Sequence, residues 1–142
     1  MILWFEKHNK LSWIITILIA IIIFYVSTLT FTGKAGLGWK TIAYHFYAFF
    51  FLSAFLIISL TKGKPSRKLI IITIIISILY AILDEIHQIF VPTRSFDVSD
   101  ILTDSAGVLF ASLIYSLLRY NYSADKMNDK QEIRDIKKAI SD

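Results

Sequence analysis

The chain has 142 residues, 56% of them hydrophobic and 15% aromatic, with a formal charge of +4 and a mean hydropathy of +0.61. Soluble domains run at roughly 45–50% apolar residues, and a chain this short has too little interior to hide the excess. The absence of cysteine excludes a disulfide framework, a thiolate nucleophile and a Cys-ligated metal. Lys and Arg sit in loops beside apolar runs, so the positive charge is not a nucleic-acid signature and no nucleic-acid partner is expected.

Four apolar runs of about 20 residues are each long enough to cross a hydrocarbon core of about 30 Å. Met1 to Lys10 is short and polar. The first span is predicted over 11–31, broken only by Ser and Thr. A signal peptide would have a shorter apolar region, about 7–15 residues, before a small-residue cleavage site. A Gly-containing turn follows from Thr32 to Lys40, and the second span covers 41–60 with His45 near its start. Its Phe and Tyr residues read as lipid contacts and helix packing. A basic turn precedes the third span, 69–91, which Pro92 should end. A short loop carries Arg94 and Asp97, and Ser99 or Asp100 can cap the fourth span, 100–118. In the charged tail, 119–142, Ile133, Ile136, Ala139 and Ile140 recur at helical spacing, which predicts a short amphipathic helix or a solvated tail. The fold class expected is an all-α membrane protein, four transmembrane helices in an antiparallel bundle.

Short cytoplasmic loops carry the excess of Lys and Arg. With both termini inside, the inner side has two such residues before the first span, four in the second loop and six from Arg119 on. The outer side has only Lys34, Lys40 and Arg94. The expected orientation is therefore N-in and C-in, with a cytoplasmic tail.

That orientation gathers the polar residues. Apart from Glu6 and the tail, every carboxylate lies between Ala81 and Gly107: Asp84, Glu85, Asp97, Asp100 and Asp104. Asp84 and Glu85 fall about 10 Å below the outer boundary and Asp104 about 6 Å below it, at about 1.5 Å of rise per residue. His45 lies at a similar depth, whereas the inner halves read as nearly pure Ile, Leu and Phe. Ionisable groups at bilayer depth cost roughly 2.5–3.5 kcal/mol each on insertion scales, and they usually serve function. Asp84 and Gln88 share a helix face. Asp100, Asp104, Gly107 and Ala111 form a stripe on the fourth span, expected to pack on that face. Carboxylates so close resist joint ionisation. Arg94 is their natural counter-ion, or a bidentate clamp for an anionic substrate. Asp100 reads most simply as a helix cap, Asp97 as a solvated loop acid, and His87 as lying off the centre. A structural ion pair between the acids and Arg94 is the rival reading.

At these residues the sequence resembles the VanZ-like family of small bacterial multi-pass membrane proteins. The family's pattern is an acidic pair with Gln three residues on, then Pro, Arg, Asp, Asn and Gly. Here it reads Asp84-Glu85-x-x-Gln88, Pro92, Arg94, Asp100, Asp104 and Gly107. His45 also fits the family. Asp104 stands where the family usually has Asn, and position 42 is Ile where a Lys is usual. The resemblance implies a four-helix protein of the cell membrane and a link to glycopeptide resistance of the teicoplanin type.

Three functions fit. In the first, the chain binds or acts on a lipid-linked or cell-wall substrate at the outer leaflet. Glu85 or Asp84 then serves as acid and base, Gln88 and Asp104 orient groups, and Arg94, Asp100 and His45 bind substrate. The second is a small proton-coupled transporter, which with four spans would need a homodimer. The third is a non-catalytic envelope module that binds a partner. The carboxylates would suit a hard cation such as Mg²⁺, but no spacing demands one, and neither a metal nor a cofactor is assigned.

Overall fold

The structure, a computed structural model, describes residues 2–30, 38–64 and 66–141. Among them there are five helices and no strand: α1 (Ile2–Lys7), α2 (Asn9–Ser27), α3 (Trp39–Thr61), α4 (Arg67–Gln88) and α5 (Val98–Ser141). Four are long and apolar enough to cross a membrane: α2, α3, α4 and the Val98–Ser123 portion of α5. The turn expected from Thr32 to Lys40 lies largely outside the described residues. The chain divides into two compact units, Met1–Ser112 and Leu113–Asp142.

The helix ends differ from the expected ones for local reasons. α1 falls in the stretch read as a short polar leader, and its Phe5 meets Phe55 of α3 edge-on at 5.3 Å. α2 stops at Ser27, before the predicted Phe31. The hydroxyls of Ser27 and Thr28 there donate to the carbonyls of Phe24 and Tyr25 at 2.8 and 2.6 Å, competing with the backbone ladder. α4 ends at Gln88 rather than Val91. The amides of Ile89, Phe90 and Val91 turn back to the carbonyls three residues earlier, a tightening common at helix ends.

Three contacts give the topology. Thr16 of α2 meets Ser59 of α3 at 3.3 Å, Tyr80 of α4 donates to the Ala20 carbonyl at 2.8 Å, and Phe24 lies against His87 at 4.5 Å. α2 and α4 therefore run together, with α3 opposite. In α5, Phe110 lies 6.0 and 6.1 Å from Phe46 and Phe50, and Ser53 donates to the Val108 carbonyl. α5 therefore runs parallel to α3 over this stretch, as an up-down-up-down bundle requires.

The buried face combines an apolar cluster of Ile23, Phe49, Leu52, Ala81 and Val108 with small hydroxylated side chains. Ser12, Ser53, Ser59, Thr73 and Ser77 are fully buried, in the half of the bundle where sequence alone suggested nearly pure Ile, Leu and Phe. Ser59 and Thr73 bond the carbonyls four residues back in their own helices at 2.8 and 2.9 Å, whereas Ser12 and Ser53 donate to carbonyls of other helices, those of Phe5 and Val108. Many large aliphatic side chains nevertheless point outward, and Ile21 and Leu83 are 57% and 60% exposed. Water would penalise that outer wall, but lipid does not. Helices in lipid associate through close approach of small residues rather than through burial of Leu and Ile.

In the second unit, the Arg119 guanidinium lies 5.2 Å above the Tyr122 ring. Ile133 and Ile136 are each 53% exposed; the side chains of Ala139 and Ile140 lie outside the described residues.

Gly107 sets the spacing of α3 and α5. A methyl group there would collide with the Phe46 carbonyl and crowd the Phe50 amide at 3.1 Å, and both are backbone atoms that cannot swing away. Gly107→Ala is expected to lower stability by about 1–3 kcal/mol, the usual range for overpacking. Thermal unfolding in detergent checks this, with Leu109→Ala on the outward face unchanged.

Candidate functional site

Three helices and one loop bring the site together at one end of the bundle. α3 contributes His45, two turns from its start. The last two turns of α4 contribute Asp84, Glu85 and Gln88, and the first two turns of α5 contribute Asp100 and Asp104. The α4–α5 loop contributes Arg94 and Asp97. All seven site residues expected from sequence are drawn into this region. Glu85 and Asp104 are 0% exposed, Gln88 2%, His45 3% and Asp84 5%, so protein atoms rather than water must satisfy them.

The imidazole of His45 stands between two carboxylates. Its Nδ1 lies 3.0 Å from Asp104 Oδ1, and its Nε2 lies 3.4 Å from Asp100 Oδ2. The stripe on α5 therefore serves α3 as well as α4: Gly107 and Asp104 meet α3. Asp100 is no helix cap; it faces the ring. The amide of Gln88 donates to both neighbouring acids, at 3.0 Å to Asp84 Oδ2 and 3.0 Å to Glu85 Oε1. A Gln amide nitrogen is a double donor, so one side chain fixes both carboxylates. The backbone N–H of Asp97 donates to the other Glu85 oxygen at 2.9 Å. Arg94 reaches Gln88 Oε1 at 3.5 Å, and its charge acts on Asp100. Glu85 lies within electrostatic reach of His45, Asp100 and Asp104, and Asp104 within reach of Asp84 and Asp100. His87 stands apart, against Phe24 of α2.

Two residues near the site were not identified from sequence. Asp97, expected as a solvated loop acid, is the N-cap of α5. Its Oδ1 accepts from the Ser99 amide at 2.8 Å and the Ser99 hydroxyl at 2.7 Å, and these bonds hold its carboxyl below the usual carboxylate range. The pattern Asp-x-Ser before an apolar run was the available signal. Tyr44 lies edge-on to the His45 ring at 5.5 Å. It also lines a groove of about 530 Å³ between α2 and α3, with Ile19, Ile22, Lys40, Tyr47 and Phe51. Nothing distinguishes Tyr44 by spacing among the aromatics of its span.

The arrangement can hold or move a proton at His45 Nε2, because Asp104 orients the ring from behind. It can also present Glu85 as a fixed acceptor. Comparison with known sequences bears on the whole bundle: the profile of the VanZ/LLP1 family matches residues 12–119. No curated protein and no solved structure matches the chain.

The Asp97 cap has a pH signature. A carboxyl whose folded-state titration is depressed contributes stability that is complete above the ordinary carboxylate range. That stability is lost as pH falls through the folded value. Asp97→Ala is expected to lower stability at neutral pH by about 1 kcal/mol, as for other lost caps, with Asp97→Asn retaining most of it. The Asp97→Ala deficit should shrink as the pH is taken below the carboxylate range. Thermal unfolding at neutral and acid pH measures both effects.

Proposed function

The chain belongs to the VanZ/LLP1 family, and on that premise we propose that it works in the bacterial cell membrane. Its acidic cluster binds, or acts on, the polar group of a lipid-linked or cell-wall substrate at the outer face. The observation that carries the reading is the burial of two neighbouring hydrogen-bonded pairs, His45–Asp104 and Gln88–Glu85, at one end of a bundle whose outer wall is apolar. Groups so expensive in lipid usually serve function.

Asp84 and Glu85 handle the proton, with His45 as their partner and Gln88 and Asp104 as orienting groups. Arg94, at the rim, holds an anionic phosphate or carboxylate. The groove between α2 and α3 supports a lipid-linked substrate: it is apolar, opens toward lipid, and has Lys40 among its lining residues and Tyr44 against His45. A bound lipid tail there would bring its headgroup toward the cluster. A transporter fits less well, since beyond the cluster the interior continues as small hydroxylated and apolar side chains with no further buried carboxylate among the described residues of α2 to α4. The family resemblance adds a candidate phenotype, protection against teicoplanin-type glycopeptides.

Two experiments test this reading. Cells producing the protein are expected to tolerate teicoplanin better than cells without it. Glu85→Gln, at equal membrane abundance, should remove that difference, because a proton-transfer group contributes about 10²–10⁴-fold in rate. Full protection by the variant would exclude a chemical role for Glu85. Orientation is testable because the chain has no cysteine. Phe90→Cys, at a site 79% exposed, should react with an impermeant maleimide on intact cells, and Lys64→Cys only after permeabilisation. The reverse pattern would put the cluster at the inner face.

A further inference from the structure

We infer that His45, Glu85 and Asp100 bind one divalent first-row transition cation, of the Zn²⁺ or Mn²⁺ kind, while Asp104 fixes the imidazole from behind. The inference deepens the functional reading above and rests on it, in that the same cluster is taken to be a working site; with the ion bound, Glu85 and His45 are ligands and Asp84 is the carboxylate left to handle the proton.

The ligand atoms come first. One nitrogen of His45 and one oxygen each of Glu85 and Asp100 lie within 4.8 Å of one another, and they come from three different helices. Asp104 Oδ1 accepts at His45 Nδ1, 3.0 Å away, so the Nδ1 proton is committed and the neutral ring offers its lone pair at Nε2. Nε2 faces Asp100 Oδ2 at 3.4 Å. That is a poor approach for two lone pairs, but two ligands on one tetrahedral Zn²⁺ at about 2.0–2.1 Å stand about 3.4 Å apart. A metal-bound imidazole almost always gives its other N–H to a carboxylate or carbonyl, which fixes the ring and strengthens the ligand. Asp104 stands in that position. A Glu85 oxygen already lies within the same 4.8 Å and completes the set, and three protein ligands leave a position for water or a substrate oxygen.

A second observation concerns charge. Asp104 is 0% exposed, and its Oδ2 has no hydrogen-bond partner; Asp84 is 5% exposed, and its Oδ1 has none. Gln88 ties Asp84 to Glu85, and His45 ties Asp104 to the ring, so both carboxylates adjoin the ligand set. Buried carboxylate oxygens without donors are costly, and a divalent ion beside them offsets that cost. The donor set selects the class of ion. Mg²⁺ and Ca²⁺ prefer all-oxygen shells, whereas an imidazole nitrogen with two carboxylates suits Zn²⁺ or Mn²⁺. Sequence spacing could not reveal the set, since the chain has no pair of histidines on one helix turn.

The test uses the full chain in detergent, freed of any affinity tag and stripped with EDTA. After equilibration with Zn²⁺ or Mn²⁺ alone, one ion per chain should be retained by elemental analysis, and excess Mg²⁺ should not displace it. His45→Gln and Asp100→Asn should each weaken binding at least tenfold. Asp104→Asn should weaken it about ten- to hundredfold, as expected when the carboxylate behind a metal-bound imidazole is lost. His87→Ala, outside the cluster, should bind as the parent does. Failure to retain Zn²⁺ or Mn²⁺, retention undiminished in Asp100→Asn, or binding of Mg²⁺ alone would each overturn the assignment. Asp100 is the decisive position because its side chain is 15% exposed and its replacement leaves the buried His45–Asp104 pair in place, which circular dichroism can verify. The readout needs no substrate. Absent metal binding with intact glycopeptide protection overturns this inference alone, and intact binding without protection overturns the functional reading alone.

Discussion

The contact between His45 and Asp104 joins two helices that run in the same direction and are separated in the chain by a whole membrane crossing. It forms only because Gly107, less than one turn beyond Asp104, lets the α5 backbone approach the Phe46 carbonyl. Phe46 is the residue after His45, so one close backbone approach brings the ring and the carboxylate to 3.0 Å. Everything else at the site is arranged around this contact. Asp100, one turn earlier on α5, is carried to the other edge of the ring, and Glu85 arrives from α4 with its two oxygens held by Gln88 and the Asp97 amide. The geometry therefore depends on the absence of a single methyl group.

The interior of the bundle explains how such a group is tolerated in lipid. Much of the aliphatic bulk faces outward, and buried Ser, Thr, Gly and Ala stand between the helices beside the apolar cluster of Ile23, Phe49, Leu52 and Val108. Small contact residues let backbones come close without a hydrophobic driving force. Several of their hydroxyls bond to carbonyls within their own helices, as those of Thr16, Ser59, Thr73 and Ser112 do, and that of Ser53 bonds across to the Val108 carbonyl. The polar cluster is thus the end of an interior that is mildly polar along its length.

Much of this was readable from the sequence, and the limits have physical causes. The four spans were legible because the bilayer imposes a length and a composition that no other environment demands. The acids were conspicuous for the same reason: Asp84 and Glu85 interrupt a run of Ile and Leu. Pairings across helices were not legible. Helical phase shows that Asp100, Asp104 and Gly107 share a stripe, but it cannot show that Gly107 meets α3. Asp100 looked like a cap because it stands near a helix start, yet Asp97 takes that role and Asp100 turns inward to the ring. The buried hydroxyls were passed over because Ser and Thr occur on both faces of membrane helices, and only packing distinguishes them.

The order in which the helices arise has a consequence for biosynthesis. While the nascent protein holds only its first three crossings, Glu85 lacks the Asp97 amide and His45 lacks Asp104, since both partners are still to be translated. Those three crossings alone would leave Glu85 with only its Gln88 partner and the imidazole without Asp104. A chain lacking the fourth crossing would therefore hold these groups in lipid at greater cost than the complete one.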